Sequence, residues 1–201
     1  MTLIVVLGFV FAGRYFAIPG ASAAPDAAQD IACYFSPKGG CTDAVVAEIA
    51  AARQTILIQA YSFTSTPIAK ALVDAHQRGV QITVVLDKSN LTGQYSSADF
   101  VLHASIPTYI DDKHAIAHNK IMLIDGRTII TGSFNFTKQA ETSNAENLLV
   151  IHDRPELFAQ YQANFQRHLE HSQTYSGRPN VESAGLQGGG EQPAKTTRRR
   201  R

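Results

Sequence analysis

His118 and Lys120 stand two residues apart in the segment HNKIMLID, and on an extended strand that spacing turns both side chains to one face. An imidazole serves as nucleophile or proton carrier near neutral pH, and an ammonium beside it neutralises the charge of an anionic group. Asp125 completes an HxKxxxxD pattern at the far end of the same apolar run and is expected to brace the site. Ser133 and Asn135, again two apart, alternate with Phe134 and Phe136 in GSFNF. A hydroxyl and an amide on one face offer hydrogen bonds to oxygens that gain charge in a transition state, while the two rings face inward. Glu146 opens the next apolar segment, where a carboxylate can hold the second nitrogen of a histidine and fix its tautomer. Six residues, catalytic in expectation, thus fall within 29 positions.

The elements that position them follow from periodicity. Residues 31–36, 56–63 and 81–87 read as strands, with helices over about 43–53, where Thr42 is the expected cap, and from Thr66 and Pro67 to Gly79. Strand, helix and strand joined by a short stop at Arg78 and Gly79 predict a right-handed crossover, so the fold class is α/β, with a mixed, mostly parallel β-sheet flanked by helices. Residues 88–97 read as a loop, about 97–104 as a helix and 106–110 as a strand. KIMLID, RTIITGS and NLLVIH are strands in quick succession, and 155–170 is a helix whose Leu157, Phe158, Tyr161, Phe165 and Leu169 form a core-facing stripe.

The 201 residues with 44% apolar content suit one globular catalytic domain over 31–171. Before it, the apolar run from Leu3 to Ala12 is short for a membrane span, which needs roughly 20 residues. Followed by Arg14 and Ala21-Ser22-Ala23-Ala24, it reads as a signal peptide removed after Ala23 or Ala24, with a retained N-terminal anchor as the alternative. Residues 1–24 therefore predict an exported, periplasmic or secreted protein, or one anchored in a membrane. Cys33 and Cys41, separated by Pro37, Gly39 and Gly40, are expected to form a disulfide in such a compartment. Residues 172–201, rich in Ser, Gly, Gln and Pro and ending in Arg198–Arg201, read as a disordered tail.

Charge and metal chemistry narrow the function classes. From Pro25 to His171 eleven Lys or Arg stand against fifteen Asp or Glu, so no broad cationic surface for nucleic acid is expected on the folded part. Two cysteines without a CxxC pattern give structural zinc little support, and no acidic cluster with divalent-metal spacing accompanies His118. No metal and no cofactor are expected at the site. Asp111-Asp112-Lys113-His114 reads as a solvated turn.

Together, FSPKGG, AYSFTS at 60–65, LVDAHQRGVQITVVLD at 72–87, HNKIMLID, TGSFNFT and ETSNAENLLVI resemble the phospholipase D superfamily, in particular its small single-motif bacterial endonucleases, which resist EDTA. The resemblance runs from about Ile31 to Leu169. It implies the phospholipase D/nuclease fold and a phosphodiesterase in which His118 forms a phosphohistidine, Lys120 and Asn135 bind phosphate, and Ser133 and Glu146 support the histidine. Larger members carry two HxK motifs, whereas none of the other histidines here, at 76, 103, 114, 152, 168 and 171, is followed two residues later by Lys. A second imidazole must protonate the leaving oxygen, so a homodimer completing the active site is expected. DNA or RNA is the expected substrate; phospholipid hydrolysis to phosphatidic acid is the alternative. A third possibility is a non-catalytic nucleic-acid or membrane-binding module using the arginine tail.

Overall fold

The computed structural model describes residues 30–93 and 96–178. The leader or anchor at 1–24 and most of the expected tail lie outside them. Eight strands form one sheet in the order β1-β7-β6-β5-β2-β3-β4-β8: β1 Ile31–Ser36, β2 Thr55–Ala60, β3 Gln81–Asp87, β4 Thr108–Asp111, β5 Lys120–Ile124, β6 Thr128–Gly132, β7 Glu146–His152 and β8 Gln173–Thr174. The helices are α1 Cys41–Ala51, α2 Thr66–Gln77, α3 Ala98–His103, α4 Lys138–Thr142 and α5 Pro155–His171.

The mixed sheet flanked by helices is the expected class, but the expected parallel majority is not found. Only β2 with β3 and β3 with β4 run parallel, where α2 and α3 supply crossovers; β1 with β7, β2 with β5, β4 with β8, β5 with β6 and β6 with β7 are antiparallel. The turn at Asp125 to Arg127 is too short to carry a chain back to a parallel start, so KIMLI and TIITG must pair as a hairpin.

Both faces of the sheet are buried, which is why KIMLI is apolar at four of its five positions. Ile56, Ile58, Val84, Leu86, Met122, Ile130, Leu148 and Val150 pack with Val45 and Ile49 of α1 and Ile68 and Leu72 of α2. Val85, Ile121, Leu123, Ile129 and Ile151 take the other face, covered by Phe158 and Phe165 of α5 with Leu157, Tyr161 and Leu169 against them, the stripe anticipated from its spacing. Phe63, Phe134 and Phe136 are wholly buried on the α1 side.

Three local expectations fail for identifiable reasons. Cys33 and Cys41 are free: strand alternation puts Cys33 with Ile31 and Phe35 on an exposed face, while Cys41 is buried on the opposite side beside Val45. Burial pushes the Cys41 thiol up to about 11, and Glu141 adds to the shift. The cap of α1 is Gly40 in the left-handed region, not Thr42, and Glu141 of α4, an element without a clear sequence signal, accepts from the N–H groups of Gly40 (3.2 Å) and Thr42 (2.7 Å). The expectation of a tail from 172 does not hold over the described residues, because β8 pairs with β4 and Tyr175 is buried with its hydroxyl donating to Asp99 (2.6 Å).

Candidate active site

Lys120 begins β5 opposite Ala60, at the C-terminal end of β2, and His118 precedes it in the incoming loop. Chain continuity beyond β2 positions both: the N–H of Tyr61 donates to the Asn119 carbonyl (2.9 Å), which carries the Tyr61 ring to the site. The His118 imidazole lies 4.7 Å from that ring, centroid to centroid, and the Lys120 Nζ lies 5.2 Å from it. His118 is exposed, whereas Lys120 is 6% exposed and donates to the His118 carbonyl (2.8 Å). An accessible imidazole therefore sits beside a nearly dry cation. Burial holds the Lys120 amine below its ordinary value, with the negative field of Glu146 partly opposing the shift.

GSFN reaches the site from the end of β6. Gly132 has φ 142°, and a Cβ there would lie 2.3 Å from the Asn147 carbonyl oxygen, so only glycine lets β6 close against β7 at this point. Ser133 accepts from the Asn147 N–H (3.1 Å), and Phe134 and Phe136 are buried as their alternation requires. The Asn135 Oδ1 is buried and, among the described residues, has no hydrogen-bond partner. Glu146 accepts from the Asn144 amide (3.0 Å), and its N–H donates to the Ser36 hydroxyl. Among the described residues it makes no hydrogen bond with His118, so its visible influence on the site is its field at Lys120.

Asp125 is not brought to this end of the sheet. Five strand positions at about 3.3 Å each put it about 16 Å from Lys120. Its carboxylate accepts from the N–H groups of Arg53 (2.7 Å), Gln54 (2.8 Å) and Thr55 (2.8 Å), pinning the link from α1 into β2. Burial alone would raise this carboxyl, but those three bonds outweigh it and hold it below the usual range. Its contribution to stability is thus present above the unfolded pKa and lost as pH falls through the lowered folded value. Asp125→Asn should lower the thermal midpoint by about 4 to 8 °C, the equivalent of about 2 kcal/mol, and leave turnover within about twofold of wild type. A tenfold loss of turnover with an unchanged midpoint would return Asp125 to the reacting groups.

Sequence reading missed the residues that brace the site. Asp87, at the end of β3 and 3% exposed, accepts from Ala117 N–H (2.7 Å) and Ser89 N–H (2.9 Å), fixing the approach to His118. Asn90 donates to the carbonyls of Tyr61 (2.8 Å) and Asp87 (3.0 Å), so residues 88–91, the first part of the segment expected as a loop, form a 3-10 turn that works as scaffold. Tyr61 was visible only as part of AYSFTS. Asp111, expected in a solvated turn, has a wholly buried side chain, because His114 and two histidines of α5 enclose it.

Residues 45–169 match the family described as "Cardiolipin synthase, PLD-like domain". Among curated proteins, a "Phospholipase D" of Rickettsia bellii is 44% identical over 119 residues, 59% of each chain. A "Mitochondrial cardiolipin hydrolase" of Chlamydomonas reinhardtii is 34% identical over 119 residues, 59% of this chain and 53% of that one. The chain spans about three-fifths of the length of the curated relatives it matches. Among solved structures, Nuc from Salmonella typhimurium, described as a phospholipase D family member, superposes with a TM-score of 0.70 at 37% identity, covering 74% of this chain and 98% of that one. NucT from Helicobacter pylori, at 23% identity and TM-score 0.67, shares the fold.

Proposed function

Because the chain belongs to the phospholipase D superfamily, we propose that it is an exported phosphodiester hydrolase that needs no metal for the chemical step and acts on nucleic acid as a homodimer. The observation that carries this reading is the pairing around Tyr61 of an exposed imidazole with a buried ammonium. His118 attacks phosphorus and a P–N bond forms as the P–O bond to the leaving group breaks. The His118 of the second subunit gives its proton to the leaving oxygen. That same imidazole then takes a proton from water, whose oxygen displaces His118 from phosphorus. Lys120 and the Asn135 amide stabilise the equatorial oxygens.

Nucleic acid is the first choice because the chain covers nearly all of compact Nuc. A second reading, phospholipid hydrolysis releasing phosphatidic acid, is favoured by the names of the curated relatives. Incubating the purified protein in EDTA with single-stranded DNA, duplex DNA, RNA, and vesicles of phosphatidylcholine or cardiolipin separates the two. Cleavage of a nucleic acid in EDTA is the expected result; release of phosphatidic acid alone would transfer the proposal to lipids. An EDTA loss restored by Mg²⁺ but not by Zn²⁺ would refute the metal-free step.

A further inference from the structure

We propose that Asp111, His114, His168 and His171 form a binding site for one zinc-class divalent cation, which ties the last turn of α5 to the start of the segment carrying His118. The inference is independent of the hydrolase reading, because these residues lie away from the reacting groups. Asp111 closes β4 and, by strand alternation, shares the α5 face of the sheet with Tyr109. Lys120 points the other way, with Met122 and Ile124.

The Asp111 side chain has no exposed surface. Around its carboxylate stand the His168 Nδ1 at 2.6 Å, the His114 Nδ1 at 3.1 Å and the His171 Nε2 at 3.3 Å. The three imidazole rings are mutually 4.7 to 5.4 Å apart. One candidate ligand atom from each residue lies within 4.8 Å of all the others. Zinc bonded to nitrogen and oxygen at about 2.0 to 2.1 Å in a tetrahedron needs ligand atoms about 3.3 Å apart, so small side-chain rotations about these positions suffice.

The local sequence explains the convergence. Asp111 and His114 are three apart in a turn, and His168 and His171 are three apart in the last turn of α5, which sets them on one face of that helix. The carbonyls of the ligand residues are themselves tied: Lys88 Nζ donates to that of His114 (2.9 Å), and the Ser172 hydroxyl to that of His168 (2.7 Å). Hydrogen bonding alone does not account for the cluster. The His171 Nε2 is buried 3.3 Å from the carboxylate, close enough for an ion pair yet out of hydrogen-bond geometry, and among the described residues it has no hydrogen-bond partner. Three neutral imidazoles and one carboxylate form a donor set suited to zinc and its neighbours and ill suited to magnesium or calcium, which take oxygen.

The consequence is positional. Asp111 and Ala117 bound the approach to His118, and Asp87 already holds the Ala117 end. A cation at Asp111 and His114 would fix the other end without touching substrate.

The full chain, carrying no oligohistidine tag, is stripped with EDTA, dialysed and titrated with Zn²⁺ by calorimetry and with Co²⁺ by visible absorption. One equivalent per chain and the absorption of four-coordinate cobalt are expected. Zn²⁺ at a hundredfold excess over its dissociation constant should raise the thermal midpoint by about 5 °C or more. His168→Gln and His171→Gln should abolish stoichiometric uptake and the midpoint rise, whereas His76→Gln, outside the cluster, should keep both. Wild-type protein that takes up no stoichiometric metal overturns the proposal whatever the variants do. Uptake unchanged in both cluster variants, with folding checked by circular dichroism, overturns it equally.

Discussion

His118→Ala should lower turnover by about 10⁴-fold or more while leaving the thermal midpoint close to wild type. The two halves of this expectation rest on different observations. The imidazole is exposed and its ring packs beside Tyr61, so truncation opens no cavity in the core. The other candidate groups are engaged: Lys120 donates to the His118 carbonyl, and Ser133 accepts from the Asn147 N–H. Single-turnover assays on the identified substrate measure the loss. Acid quenching of wild-type turnover should trap label from the phosphoryl group on the protein, and His118→Ala should trap none. A variant within tenfold of wild type would remove His118 from the reaction.

Mixing wild-type and His118→Ala subunits should depress activity as the square of the wild-type fraction. One HxK motif per chain supplies one imidazole, and the proposed reaction uses two, so a mixed pair holds a nucleophile without a proton donor or the reverse. With equal amounts of the two subunits, after exchange through mild denaturation and refolding, about a quarter of the activity remains. A monomer carrying its own complete site would instead leave half. The readout needs no knowledge of which surface pairs, and native mass spectrometry of the mixture verifies that exchange has occurred. Activity proportional to the wild-type fraction would exclude a shared site.

Much of this architecture was legible because both sheet faces are packed. The strand at 81–87 follows from its β-branched Ile82, Thr83, Val84 and Val85, and the α5 stripe from its spacing. What failed were inferences that needed the third dimension. The parallel bias came from extending the β2-α2-β3 crossover to hairpins that antiparallel pairing must close. The cysteine bridge failed because nearness in sequence says nothing of which sheet face each thiol takes. HxKxxxxD reads as one constellation, yet a five-residue strand separates its ends, and Asp125 serves the backbone at the opposite pole. Asp111 and His168 are 57 residues apart, so no local pattern joins them. Of the candidate site residues, only Lys120 lies within a strand; His118 stands just before β5, and Ser133 and Asn135 follow β6, where the buried Phe134 and Phe136 between and beside them were the legible signal.

The two-residue strand β8 sets where this domain can be cut. A chain shortened to end at His171, the boundary that composition suggests, would strip β4 of its partners at Tyr109 and Ile110 and withdraw the buried Tyr175 ring. The outer edge of the parallel half of the sheet would then present unpaired backbone groups to any neighbouring chain, an invitation to edge-to-edge aggregation. Insolubility of such a truncated protein would therefore report a missing edge guard rather than a failure of the catalytic core, and adding back residues 172–178 should restore a soluble domain.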